Sequence, residues 1–229
     1  MDVWKDLRTA LADLADRDPS PLRAWPGFSE KVAATPRPYS IWLAAWAADV
    51  AEQLHQRYGA DVELKLGALC YPDRRYPQHM AVQEAERRKS TPVPRIDETE
   101  ISVALDGPVS VRSGYTTTCR SLVGNLTADE LTFVMGPLLV ADVVDPGTGD
   151  IVGGYSGLMD LMRGGFAVPS GGTTPVPLLV ATDSFDPDLG YAVPPGEWAI
   201  QVTLSRITER DPVLGRPSRT PILPLTVTA

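Results

Sequence analysis

The chain has 229 residues, with 21 basic against 29 acidic side chains, a formal charge of −8 and a pI of about 4.8. That acidity disfavours a nucleic-acid binder, which needs a basic face, and no run of about 18 apolar residues is present to span a membrane. Hydrophobic residues at 43% support a packed core, while 22 prolines and 19 glycines point to many turns between short strands.

The first segment, MDVWKDLRTALADL, is charged and amphipathic and lacks an apolar signal region. Val3, Leu7, Leu11 and Leu14 recur at helical spacing beside Trp4, with Asp2 as the expected N-cap. Asp18-Pro19-Ser20-Pro21 ends that helix. A loop follows, in which Trp25 and Phe28 flank Pro26-Gly27. A second helix is expected from near Ser40, with Leu43, Trp46, Ala47, Val50, Leu54 and Tyr58 on one face and Gly59 at its C-terminal end. Val62, Leu64 and Leu66 then alternate with Glu63 and Lys65 as a strand. Residues 1–71 therefore read as a small helical region with one strand, too little to fold alone and expected to pack on the rest. The strand is expected to extend an edge of the following sheet and protect it.

Residues 72–98 are polar and of mixed charge, the composition of a linker or mobile loop. From Thr99 onward the pattern becomes short strands and turns. Ile101, Val103 and Leu105 alternate before Gly107-Pro108, and DPGTGD (145–150) is a turn. Near the end, Pro194-Pro195-Gly196 stiffens and turns the chain. It leads into a run with Trp198, Ile200, Val202 and Leu204 on one face and Ala199, Gln201 and Thr203 on the other, a strand with one buried face. Seven or eight strands at regular spacing indicate a β-sandwich over residues 99–229. The fold class is α+β, mainly β: an antiparallel immunoglobulin-like sandwich preceded by a small helical region.

The groups that carry chemistry are few. His55 reads as a surface residue of the second helix, and His79 lies in the polar segment with no orienting partner near it in sequence. Gly154-Tyr155-Ser156-Gly157 departs from the G-x-S-x-G nucleophile elbow, because its second glycine comes one place early. Cys70 and Cys119 match no zinc spacing and are expected to be unpaired in a cytoplasmic protein. Asp183, Asp186 and Asp188 form an acidic loop that offers hard oxygen ligands for calcium, without the spacing of an EF-hand. No cofactor is implied. Arg74, Arg75, Arg87, Arg88 and Lys89, with Arg95, make residues 73–95 locally basic in an acidic protein, as a segment that docks an acidic partner would be. Trp25 and Phe28 are the aromatic anchors available for such a partner.

VSVRSG, LLVADVVDPGTGDIVGG, VPLLVATDSFDPDLGYAVPPGEWAIQVTL and RTPILPLTVTA occur in that order. This series resembles the immunoglobulin-like sandwich domain of uncharacterised actinobacterial proteins, over about residues 99–229. The sandwich is also loosely similar to the intracellular proteinase inhibitor family typified by the Bacillus protein. The first resemblance implies a fold. The second implies a protease partner. The sequence thus favours a non-catalytic cytoplasmic protein-interaction module, with an unidentified protein partner and neither nucleic acid nor membrane. An intracellular protease inhibitor comes second, and an enzyme with a site between the helical region and the sandwich third.

Overall fold

A computed structural model describes residues 3–24, 38–75, 93–135, 138–157, 164–208, 213 and 215–229. Helix α1 (Val3–Ala15) buries Trp4, Leu7, Leu11 and Leu14, the stripe expected from their spacing. It packs on a small sheet made of β1 (Leu22–Ala24), β2 (Tyr39–Leu43), β3 (Val62–Leu66) and β4 (Leu69–Tyr71), paired in that order. The N-terminal region therefore holds four strands where one was expected, and β3 pairs with β2 and β4 instead of joining the sandwich edge.

The second helix also starts later than its periodicity suggested. Tyr39, Ile41 and Leu43 are buried in alternation with Ser40 and Trp42, so residues 39–43 form a strand. Only after a turn does α2 (Ala48–Tyr58) begin, burying Val50, Ala51, Leu54 and Tyr58. The cause is tertiary: β2 lies parallel to β3, and a parallel pair needs a crossover, which α2 supplies. Gly59, at φ 51°, ends the helix and donates its amide to the His55 carbonyl.

The rest is the mainly-β sandwich, and it contains twelve strands among the described residues. In chain order they are β5 (Ile101–Leu105), β6 (Ser110–Arg112), β7 (Thr116–Asn125), β8 (Leu131–Met135), β9 (Leu139–Val144), β10 (Ile151–Gly154), β11 (Gly164–Val168), β12 (Thr173–Ala181), β13 (Asp183–Ser184), β14 (Gly196–Arg206), β15 (Arg216–Arg219) and β16 (Leu223–Thr228). Several have only two to four residues, too short for alternation to reveal. The strands hydrogen-bond in the order β11-β8-β14-β9-β12-β7-β5, with β6, β10, β13, β15 and β16 off that path. Most pairings are antiparallel; β12 with β9 and β16 with β6 are parallel.

Strand β14 is the hinge of the architecture. Its first half pairs with β16 and β9, and its last residues pair with β15 and β8. Ile200, Val202 and Leu204 enter the main core with Phe133, Leu178 and Val180. The opposite face was expected to be wet, yet Ala199 is buried with Ala68, Val144, Ile151 and Phe185. Gln201 on that same face donates its Nε2 amide to the Thr220 carbonyl at 2.8 Å. Ala68, between β3 and β4, is the N-terminal unit's contribution to this cluster, so the unit lies against the second face of the sandwich.

Candidate docking surface

Strand β4 runs into a tight turn at Pro72–Arg75. The Arg74 amide donates to the Cys70 carbonyl at 2.9 Å, and the Cys70 amide donates to the Arg75 carbonyl at 2.9 Å. The turn puts Arg74 at φ 53°, the one positive φ outside glycine among the described residues. A side chain in that region costs roughly 1–2 kcal/mol, which glycine would avoid.

Both arginines project into solvent. The Arg74 guanidinium lies 5.8 Å from the centre of the Tyr191 ring and donates to the Pro187 carbonyl at 3.2 Å. The Tyr191 hydroxyl reaches back to the Pro72 carbonyl at 2.9 Å. Tyr71 stands beside Tyr191 with ring centres 5.8 Å apart, and the exposed His55 ring meets the edge of Tyr71 at 5.9 Å. Arg75 pairs with Asp73 at 3.0 Å, yet 72% of its side chain remains exposed. The Tyr71 hydroxyl donates to Glu52, which pushes the phenol up to about 12 and holds the carboxyl below its usual range. Tyr71, Arg74 and Tyr191 thus form one connected patch with Arg75 beside it, from side-chain types enriched at binding hot spots.

A buried seam underlies this patch. The carboxylate of Asp183, on β13, is fully buried; its Oδ2 accepts from Ser156 Oγ at 2.6 Å and from the Ser156 amide at 3.2 Å. Arg23, on β1, places Nη2 3.9 Å from Asp183 Oδ1 and donates it to Thr116 Oγ1 at 2.9 Å. Burial pushes the Asp183 carboxyl above its usual range, while Arg23 and Ser156 oppose that shift. Farther along, Trp46 stacks on Tyr115 with ring centres 5.2 Å apart. Gly114, at φ 78°, sits so close to Trp46 that a Cβ there would lie 2.8 Å from the Trp46 amide nitrogen.

The structure separates residues that the sequence had grouped. Arg74 and Arg75 share the patch, whereas Arg95 pairs its backbone with Arg219 on β15. Arg87, Arg88, Lys89, Trp25, Phe28 and His79 lie outside the described residues, as does Asp2. Asp183, Asp186 and Asp188 do not converge into a calcium loop. Asp183 is buried in the seam, Asp186 Oδ1 caps a short 3-10 turn by accepting the Asp188 amide at 3.0 Å, and Asp188 is exposed. No group of three His, Cys, Asp or Glu side chains able to hold a metal occurs among the described residues. Cys70 and Cys119 are both free thiols, and burial raises both. Ser156 is buried and tied to Asp183, so it presents no exposed nucleophile. Tyr71, Tyr191 and Arg23 were not singled out from the sequence; only the fold brings residue 71 beside residue 191.

No protein-family model matches the chain, and no curated protein does. Among solved structures, the chain has a weak likeness to the ASH / PapD-like domain of human CEP192, at 12% identity and a TM-score of 0.28, covering 60% of this chain and 92% of that one. A CARDB domain from Pyrococcus furiosus, solved in complex with di-metal ions, is similar at 11% identity and a TM-score of 0.30 over 61% of this chain and 97% of that one. The CooA pilin subunit from enterotoxigenic Escherichia coli gives 11% identity and a TM-score of 0.25 over 57% and 99%. Likeness at this level assigns no function. No helix among the described residues is long and apolar enough to cross a membrane.

Proposed function

We propose that the protein is a non-catalytic cytoplasmic interaction module that docks an acidic protein partner on the Tyr71–Arg74–Arg75–Tyr191 surface. The observation that carries this reading is the strained backbone of Arg74. The turn holds an arginine where glycine would avoid the conformational strain, and that arginine's side chain lies beside the half-buried Tyr191 ring. Strain of this kind collects at functional sites, where the side chain is needed. Arginine with tyrosine gives a partner charge recognition and flat apolar area together. In a protein of net charge −8, the Arg74 and Arg75 guanidiniums, the latter beside Asp73, are the cationic groups this surface offers an acidic partner.

The test is affinity capture from the native cytoplasm with the full-length protein and with Arg74→Glu/Arg75→Glu. A partner retained by the first and lost by the second, and released by raised salt, supports the reading. Identical capture by both proteins removes it.

A further inference from the structure

A second group of arginines lies at the end of β14, in a cleft of about 280 Å³ whose lining includes Arg95, Arg206 and Arg216. We propose that this cleft binds a small organic oxyanion, a carboxylate or phosphate monoester carried on a compact apolar body. Its walls are fixed. The Ile96 amide donates to the Arg219 carbonyl at 2.9 Å, and the Arg219 amide donates to the Pro94 carbonyl at 2.8 Å, so Arg95 makes a single parallel bridge to Arg219 of β15. The base is set by the buried core side chains Phe133 and Leu204.

The charge balance selects the ligand. Two acids line the cleft with the three arginines: Glu100 is paired with Arg206, while Asp97 keeps its charge on hydrogen bonds from Thr99, so the lining is left with a net charge of +1. Glu100 Oε2 accepts from Arg206 Nη1 at 2.6 Å. Asp97 Oδ1 accepts from the Thr99 amide at 2.9 Å and from Thr99 Oγ1 at 2.6 Å. Arg95 and Arg216 are exposed and have no acidic partner among the described residues. The guanidinium forks of Arg95 and Arg216, without an acidic partner among the described residues, match the planar oxygens of a carboxylate or phosphate. Their methylene stems and the cleft base suit a small apolar body. The volume falls at the low end of small-molecule sites, which run from roughly 300 Å³ upward, and so favours a compact ligand. This site shares no residue with the docking surface, and the two proposals stand or fall separately.

The experiment titrates the full chain with phenyl phosphate, benzoate, inorganic phosphate and benzyl alcohol, read by ligand-observed NMR. At least one of the two aromatic anions is expected to bind, more tightly than inorganic phosphate or the neutral alcohol. Which anion wins tells phosphate from carboxylate. Arg95→Ala/Arg216→Ala is expected to weaken that binding by about tenfold or more. Arg17→Ala/Arg120→Ala removes the same charge from exposed positions elsewhere and is expected to leave it within about twofold. Arg95→Lys/Arg216→Lys keeps the charge without the planar fork and is expected to weaken binding by about threefold or more, which preserves the test if the alanine pair does not fold. Binding of neither anion, equal weakening by the remote pair, or equal binding of benzyl alcohol overturns the proposal.

Discussion

Arg23 Nη2 stands 3.9 Å from Asp183 Oδ1, and this pair joins the first strand of the N-terminal sheet to the sandwich. The carboxylate is fully buried and the arginine side chain is 18% exposed. Removing Arg23 leaves the Asp183 carboxyl fully buried without its cationic neighbour, so the group must take up a proton or remain charged at high cost. Arg23→Ala is expected to cost about 3–5 kcal/mol, read as a lower urea midpoint of the whole chain.

The same carboxylate gives the protein a pH signature. Its folded pKa lies above the unfolded value near 3.8, so the folded state holds the proton more tightly. The linked stability is fully present below the unfolded value and is lost as pH rises through the folded one. The stability of the wild type minus that of Asp183→Asn is therefore expected to fall as pH rises above the unfolded value near 3.8. Urea titrations of the two proteins from about pH 4 upward check it; a difference that rises with pH contradicts the dominance of burial over the Arg23 attraction at this group.

Gly114 is a second lock on the seam. Its φ of 78° disfavours any side chain, and the backbone of Trp46 occupies the space a Cβ would need. Gly114→Ala is expected to destabilise by about 1–3 kcal/mol and to weaken the stacking of Trp46 on Tyr115. Thermal unfolding, followed by tryptophan fluorescence, reads both effects.

In the sandwich core, Phe133 is fully buried and stacks on Phe166 with ring centres 5.0 Å apart. Phe133→Ala is expected to cost about 3–5 kcal/mol. This side chain also sets the base of the arginine cleft, so a variant that folds is expected to lose anion binding as well.

The sandwich was legible because β5 and β14 alternate in sequence, Ile101, Val103 and Leu105 in the one and Trp198, Ile200, Val202 and Leu204 in the other. Trp198, Ile200, Val202 and Leu204 are on the face their spacing assigns, although Ala199 and Gln201 are buried too. Alternation reports one buried face; it cannot announce that a second unit covers the other. The stretch from Ser40 to Tyr58 misled for a related reason. Its apolar residues satisfy a helical period throughout, and only pairing with β3 turns residues 39–43 into a strand. The site was half legible: Arg74 and Arg75 stood out by charge, whereas Tyr71 and Tyr191 are brought together only by tertiary structure. Arg95 seemed to belong to the same basic segment, and its pairing with β15 places it in the cleft instead.

The most direct test of the docking surface is Arg74→Gly. Glycine relieves the positive φ at residue 74, so stability is expected to hold or to rise by about 0.5–1 kcal/mol. Capture of the acidic partner is expected to fall sharply, because the guanidinium over Tyr191 is gone. A stable protein that no longer retains the partner is the predicted result. A stable protein that retains it undiminished would contradict the account.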